Sequence, residues 1–507
     1  MPKVSVIPES DRFQWGPIDG VPFYLGLAGF GCVQRSWELY GHGWPAGDLL
    51  FYDRHYAIWY GRDSQISVHG IQAAQKFYLK PAKLRALKLA YQRQLRIFAG
   101  ARQFVKTHDV NKLPDEDLLH FLNRLVEVYH DFWGTTIQPE LTGYGMHEYF
   151  VKHMPRFFTG DRLNEALSIL SSPDDFSFYQ KEELIFLKIV AKVRADGKTI
   201  THFRQAVERK QPAVFNLIKK HASEYSWLAG SYANDAPLPE SWFWKRARDI
   251  VRNGKTPDEK INEIRAQFQK IQRSKRRLIE ELPSGRLKKY ARDVVGDAVA
   301  WQDDRKGWQF RVQEVLRQFL DEIARRRRVK KEDLRYLLWS ELWSWANGAL
   351  EWPAREIKAR KKCVLLHIEP RHFVITTGTP ATVFQNHYRQ PKLLMREMRG
   401  VVASAGGKET VKGKVMILRH ARESGKFPAG RILVAELTSP DYIGAMRKAK
   451  AIITDHGGLT SHAAVVSREL NLPSIVGTKH ASHVLRNEDE VEMDLRKGTI
   501  SKLTSHQ

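Results

Sequence analysis

At 507 residues the chain exceeds the size at which one hydrophobic core keeps growing, so two or three domains are expected. Hydrophobic residues make up 42% and charged residues 27%, no uncharged apolar run approaches the roughly 18 residues of a membrane span, and the opening MPKVSVIPESDRFQW lacks the pattern of a secretory signal, so a cytoplasmic protein without membrane segments is expected. The 82 Lys and Arg against 57 Asp and Glu give a net charge of +25, which suits an anionic partner such as nucleotide or nucleic acid, while two cysteines, Cys32 and Cys363, are too few for a disulfide framework or a thiolate metal site and read as buried small hydrophobes.

Residues 1–79 are rich in glycine and aromatics, and short alternating pieces such as HYAIWY fit strands or aromatic-packed loops, so the fold of this segment stays open. The cluster Gly26, Gly29 and Gly31 lacks a strand–loop–helix context for nucleotide binding and reads as a packed turn. From Pro81 the pattern is a long amphipathic helix carrying Leu84, Leu87, Leu89 and Ile97. A second follows Pro114 through Trp133, with acids in its first turn and Leu118, Leu122, Leu125, Val126 and Tyr129 on one face. Further helices are expected at 182–195, 203–232 with a break near Pro212, 257–281, 309–327 and 330–348. The run Arg325 to Arg328 with Lys330 and Lys331 reads as a solvated helix end, and His130, His147 and His221 read as packed helix histidines. CVLLHI at 363–368 and HFVITTG at 372–378 are strand-like; the region 80–377 as a whole is mainly helical, and 378–395 reads as a linker. From 396 to 507, short Val- and Ile-rich runs punctuated by Gly, Pro and Asp, with two helix candidates between them, describe a compact α/β domain. The fold class is therefore multidomain: a mainly α-helical N-terminal and central region followed by a compact α/β domain.

The stretch that carries chemistry runs from Lys450 to Arg468. A strand, AKAIIT, enters a Gly457-Gly458 turn that opens directly into a helix beginning Thr460, Ser461, His462. The first amides of a helix have no intrahelical partner and sit at the positive end of its dipole, so a phosphate held there is stabilised without a metal. Gly457 and Gly458 permit a tight turn and close approach of a bulky anion, Thr460 and Ser461 can cap the helix or donate to phosphate oxygens, and His462 offers a neutral imidazole as nucleophile.

The run GGLTSHAAVVSREL resembles the phosphohistidine signature of the phosphoenolpyruvate-utilising enzymes, a family that includes pyruvate phosphate dikinase, phosphoenolpyruvate synthase and rifampicin phosphotransferase. The likeness extends over Gly400 to Gly406, Gly413-Lys-Val, Arg431 to Asp441, Leu472 to Gly477, and Val491 through Gly498-Thr-Ile. It implies a swivelling β/β/α domain over 396–507, with His462 as the phosphorylated residue and Thr460 and Ser461 as phosphate-binding neighbours beside Gly457 and Gly458. His456 departs from the pattern and is expected to be exposed. The helical region resembles, through Lys331 to Leu342, the family domain that contacts the acceptor, which makes 80–377 the acceptor- or partner-binding domain. Relatives draw phosphate from ATP through an ATP-grasp domain or from phosphoenolpyruvate through a barrel, and neither pattern is recognisable here. The resemblance therefore implies a phosphotransferase component, incomplete without a separate ATP-grasp subunit that binds ATP and Mg2+, with the segment 378–395 letting the domain travel. No metal ligand set of its own is expected. The alternative is a non-enzymatic binding or scaffold protein that uses its basic surface for nucleic acid or a protein partner.

Overall fold

Strands β1 (Arg12–Asp19), β2 (Gly47–Tyr52) and β3 (Tyr56–Arg62) join β4 (Cys363–Glu369) and β5 (His372–Thr377) in one antiparallel sheet of order β1-β3-β2-β4-β5, so the two ends of the helical region close on each other. The computed structural model describes residues 7–503 except 55, 195–201, 234, 253–254, 388–396, 439–441 and 460. Period-two alternation sorts the faces of this sheet: Leu49, Phe51 and Trp59 enter the main core, while Leu50, Ile58 and Tyr60 pack with Leu365, Ala381 and Phe384 on the other side. Phe384 belongs to a helix at Thr379–His387, so the first half of the segment read as a linker is folded and packed, and its second half lies almost entirely outside the described residues.

In chain order the helices before that segment are α1 (Pro22–Phe30), α2 (Ser36–Tyr40), α3 (Asp63–Ala73), α4 (Pro81–Thr107), α5 (Asp115–His153), α6 (Gly160–Leu170), α7 (Phe178–Val190), α8 (Phe203–Lys210), α9 (Pro212–Glu224), α10 (Glu240–Arg252), α11 (Pro257–Glu281), α12 (Arg286–Asp293) and α13 (Val295–Arg327). The break at Pro212 and the span 257–281 match the sequence reading. The glycine cluster is helical instead of a turn: α1 is buried from Pro22 to Gly29, and its glycines let Leu338, Trp59 and Trp133 press against the backbone.

Helix α5 runs twenty residues beyond Trp133, through Pro139 and a Gly- and Thr-rich stretch that propensity alone assigns to a loop. Packing overrides propensity here. A Cβ on Gly145 would stand 2.3 Å from the backbone of Gly70, and one on Gly70 would stand 2.2 Å from the Leu141 carbonyl, so two helices cross at a distance only glycine allows. Gln302 of α13 donates to the Pro139 carbonyl at 3.0 Å, which fastens α13 beside the proline. Helices α7 to α10 enclose a second core around Phe186, Phe215, Phe243 and Trp244. There His221 is packed as expected, 2.6 Å from Glu182, which also takes Arg246 at 2.7 Å. The arginine run closes α13, where Arg325 and Arg326 pair with Glu322, and both cysteines are buried.

The C-terminal domain is an eight-stranded sheet built from β6 (Glu397–Arg399), β7 (Val401–Ser404), β8 (Thr410–Ile417), β9 (Ile432–Ala435), β10 (Ala451–Thr454), β11 (Ser474–Val476), β12 (Glu490–Asp494) and β13 (Thr499–Lys502) in the order β6-β13-β12-β8-β9-β10-β11-β7. The central strands β8 to β11 run parallel, and hydrophobic clusters cover both faces, as the Val- and Ile-rich runs require. The helix His462–Glu469 packs on this sheet, and its residues Ala463, Ala464 and Val465, with Leu459, belong to the same core as α5 and α13. The domain is thus docked on the helical body. Polar contacts border the seam: Arg468 donates to Ser168 at 3.0 Å, Asn164 donates to the Arg496 carbonyl at 2.8 Å, and Arg447 meets Glu183.

Candidate functional site

Strand β10 ends at Thr454, and the next residue fixes the bend. Asp455 is buried and accepts from Thr478 Oγ1 at 2.9 Å, the Ser482 amide at 3.1 Å and Ser482 Oγ at 2.5 Å, which anchors the loop to the strand ends around it. Gly457 follows at φ +100°, a left-handed conformation that L side chains rarely adopt, and a Cβ there would stand 2.8 Å from that of Ser461. Gly458 meets the helical body: a Cβ on it would lie 2.9 Å from Nε2 of His147 on α5. Ser461 is the N-cap, its Oγ accepting from the Ala464 amide at 3.4 Å, and His462 is the first helical residue. Thr460 lies outside the described residues, as do Pro440 and Asp441.

The His462 ring is half-buried, with Nδ1 3.0 Å from Thr438 Oγ1 and a buried Nε2 that has no hydrogen-bond partner among the described residues. Burial, reinforced by the Lys306 ammonium, pushes its pKa well below the ordinary histidine value, so the ring is neutral. His456 is half-buried instead of exposed: its amide donates to the Glu436 carbonyl at 2.8 Å, and desolvation lowers its pKa to about 4.

Facing His462 across a cavity of about 90 Å3 are Gln302, Arg305 and Lys306 of α13, Glu140 of α5, Tyr232, and Phe13 and Trp15 of β1. Arg305 is 1% exposed, donates to Glu140 at 2.7 Å and stacks over the Trp133 ring at 4.3 Å, while its Nε and Nη1 make no hydrogen bond of ordinary geometry among the described residues. A buried guanidinium whose partners are Glu140 and the Tyr232 hydroxyl, beside a second cation, keeps positive charge at the cavity and suits an anion there. The sequence signal for it was present in Gln302, Arg305, Gln309 and Gln313, which fall at helical spacing on one face of α13. They form a polar stripe turned inward, whereas a polar periodic helix is ordinarily assigned to the surface. His147, read as a packed helix histidine, does pack, but against the Gly458 bend. The site-facing Phe13, Trp15 and Tyr232 carry no motif.

Fold and site together define a histidine at the start of a helix on an α/β domain, presented to a cationic cavity in a separate helical body. Residues 427–498 match the family described as PEP-utilising enzyme, mobile domain, and this part of the chain is such a domain. The same region is 46% identical over 103 residues to the probable phosphoenolpyruvate synthase of Staphylothermus marinus, covering 20% of this chain and 12% of that protein. It is 44% identical over 105 residues to the phosphoenolpyruvate synthase of Pyrococcus furiosus, 21% of this chain and 12% of that protein, and 45% identical over 140 residues to the probable phosphoenolpyruvate synthase of Archaeoglobus fulgidus, 26% of this chain and 18% of that protein. The chain therefore spans less than a fifth of the length of these relatives. Among the described residues no helix is long and apolar enough to cross a membrane, and no three His, Cys, Asp or Glu side chains gather to hold a metal ion.

Proposed function

We propose that the chain is a phosphotransferase component that carries a phosphoryl group on Nε2 of His462 and delivers it to an acceptor held by the helical body. The observation that carries this reading is the orientation of His462. Its Nδ1 is engaged by Thr438, its buried Nε2 has no hydrogen-bond partner among the described residues, and the residue lines a cavity that Lys306 and Arg305 also line. When Nδ1–H donates to Thr438, the Nε2 lone pair is left free for phosphorus, and the depressed basicity of the ring keeps it unprotonated. Lys306 and Arg305 stabilise the charge on the equatorial oxygens during transfer, and the amides at the start of the helix support the same anion from the carrier side. Gly457, Gly458, Thr460 and Ser461 form the phosphate-side loop in this proposal, with Ser461 holding the helix start through its cap. The phosphoryl donor is a separate ATP-grasp subunit with ATP and Mg2+, which the docked domain reaches by swivelling away from α5 and α13.

The test is incubation of the purified chain and a candidate ATP-grasp subunit with ATP labelled in its phosphates. An acid-labile, base-stable label on this chain that disappears in His462→Ala is the expected result. Acid-stable label, or label that persists in His462→Ala, overturns the proposal.

A further inference from the structure

Adjoining the His462 cavity lies a second chamber of about 50 Å3 that shares Phe13, Trp15, Glu140, Tyr144 and Tyr232 with it. Its remaining walls include Trp44, Trp59 and Trp133, together with Ala28 and Ile137. These rings are already arranged edge to face, Trp44 to Trp59 at 5.6 Å and Trp15 to Tyr232 at 5.4 Å, so the chamber has fixed aromatic walls. Glu140 is the one charged side chain among its described lining residues, and it stands at the junction with the His462 cavity. The indole nitrogens of Trp59 and Trp44 lie against Gly47 and Gly61, which keeps the polar edges of these two rings on the sheet.

Resting on the proposed function, we infer that the acceptor is an uncharged hydroxyl compound with a ring-sized apolar body, seated in the aromatic chamber with its hydroxyl at Glu140. Charge supports this class. A carboxylate body in the inner chamber would meet Glu140 and no cation, whereas an aromatic or alicyclic body buries its surface against indole and phenol rings.

The geometry also gives Glu140 a role. Its carboxylate is 19% exposed and gives Oε2 to Arg305 at 2.7 Å, which leaves Oε1 for the acceptor hydroxyl. The acceptor oxygen attacks phosphorus, the P–Nε2 bond breaks with its electron pair returning to Nε2, and the hydroxyl proton passes to Glu140, leaving a phosphate monoester and a neutral His462. The first 62 residues thereby acquire a task, since β1, α1, β3 and the segments between them contribute seven of the twelve described lining residues of the chamber.

The experiment loads the full chain chemically with phosphoramidate, which bypasses any donor subunit, and follows phosphohistidine loss and ester formation by 31P NMR after adding phenol, cyclohexanol, n-hexanol or pyruvate. Binding of the same four probes to the unphosphorylated chain is measured in parallel by calorimetry. Phenol and cyclohexanol are expected to bind and to speed phosphoryl loss at least tenfold, with the ester as product, and pyruvate to do neither. Glu140→Gln should slow transfer about a hundredfold while retaining probe binding, and Ala28→Leu, which fills the chamber away from the charged pair, should weaken binding at least tenfold. Tighter binding or faster discharge by pyruvate, equal response to n-hexanol, or no binding by either ring compound overturns the acceptor class. Failure of His462 to load, with ring binding intact, overturns the carrier reading alone.

Discussion

Substituting Gly458 by alanine tests whether the docked arrangement is the working one. Gly458 does not have a positive φ, so alanine is compatible with its backbone, and the added methyl carbon would lie 2.9, 3.0 and 3.1 Å from Nε2, Cδ2 and Cε1 of His147. Real Cβ contacts are almost never this short, and His147 is a ring on α5 with only 16% of its side chain exposed, so it has little room to yield. Overpacking of this kind costs about 1–3 kcal/mol. Because the clash arises only between the bodies, the penalty falls on docking and leaves the fold of either body intact, and a cost of that size lowers the docked population about 5- to 150-fold. Small-angle scattering should show a larger radius of gyration for Gly458→Ala, loading of His462 from its donor should stay within about twofold of wild type, and discharge to an acceptor should fall with the docked population. His147→Ala in the same chain removes the opposing ring and should restore both compactness and discharge, a coupling that a double-mutant cycle isolates. Wild-type scattering and discharge in Gly458→Ala, or no rescue by His147→Ala, would refute the argument.

Three smaller perturbations probe the site from other sides. Thr438→Val preserves shape but leaves His462 Nδ1 without its partner at 3.0 Å, so the loading rate should drop about tenfold or more; an unchanged rate shows that Thr438 does not set the tautomer. Ser461→Ala removes the N-cap of the helix that begins at His462 and should cost about 0.5–2 kcal/mol, read as a lower midpoint in urea for the C-terminal domain. Glu436 is held up to about 7 by burial and by the Asp455 charge, against 4.5 when free. Its folded pKa is raised, so its contribution to stability is fully present below pH 4.5 and is lost as pH rises through 7, by roughly 3 kcal/mol. Denaturation at pH 5 and pH 8 should show that loss in wild type and a smaller one in Glu436→Gln; the slope remaining belongs in part to Glu469, raised to about 8, and equal slopes in the two proteins dismiss Glu436 as its source.

The C-terminal domain was legible because local signals agree with one another: Val- and Ile-rich strands, a diglycine bend and a hydroxyl-capped helix carrying His462 each specify the same local geometry. The helix at Pro257–Glu281 was legible from its long polar, periodic pattern, and the structure adds a Thr256 capping box at its start. The second half of α5 was not, because Gly143, Gly145 and Pro139 argue against a helix locally and are tolerated only where Gly70 and Gln302 arrive from distant parts of the chain. The opposite wall of the site was hidden for a related reason. Arg305 and Glu140 are ordinary helix residues one at a time, and only the folding of α5 against α13 turns them into a buried pair facing His462. The N-terminal sheet depends on pairing β2 with β4 some 300 residues later, which no local pattern announces.

The orphan atoms at the seam bear on when the domain docks. Nε2 of His462 is buried without a partner among the described residues, which costs about 1–3 kcal/mol, and Arg305 has donors that Glu140 does not fill. A phosphoryl group on Nε2 replaces the idle lone pair with a P–N bond and presents anionic oxygens to Arg305 and Lys306, converting the unpaired groups into charge-assisted contacts. Docking should therefore be tighter for the loaded carrier than for the discharged one, which gives the swing a direction without any change in the fold. Scattering of the phosphoramidate-loaded chain against the unmodified chain measures it. The loaded form should be the more compact, and neutralising Lys306 as Lys306→Met should remove most of the difference. A loaded chain that expands relative to the unmodified one would mean that the cavity repels the phosphoryl group and that transfer occurs elsewhere.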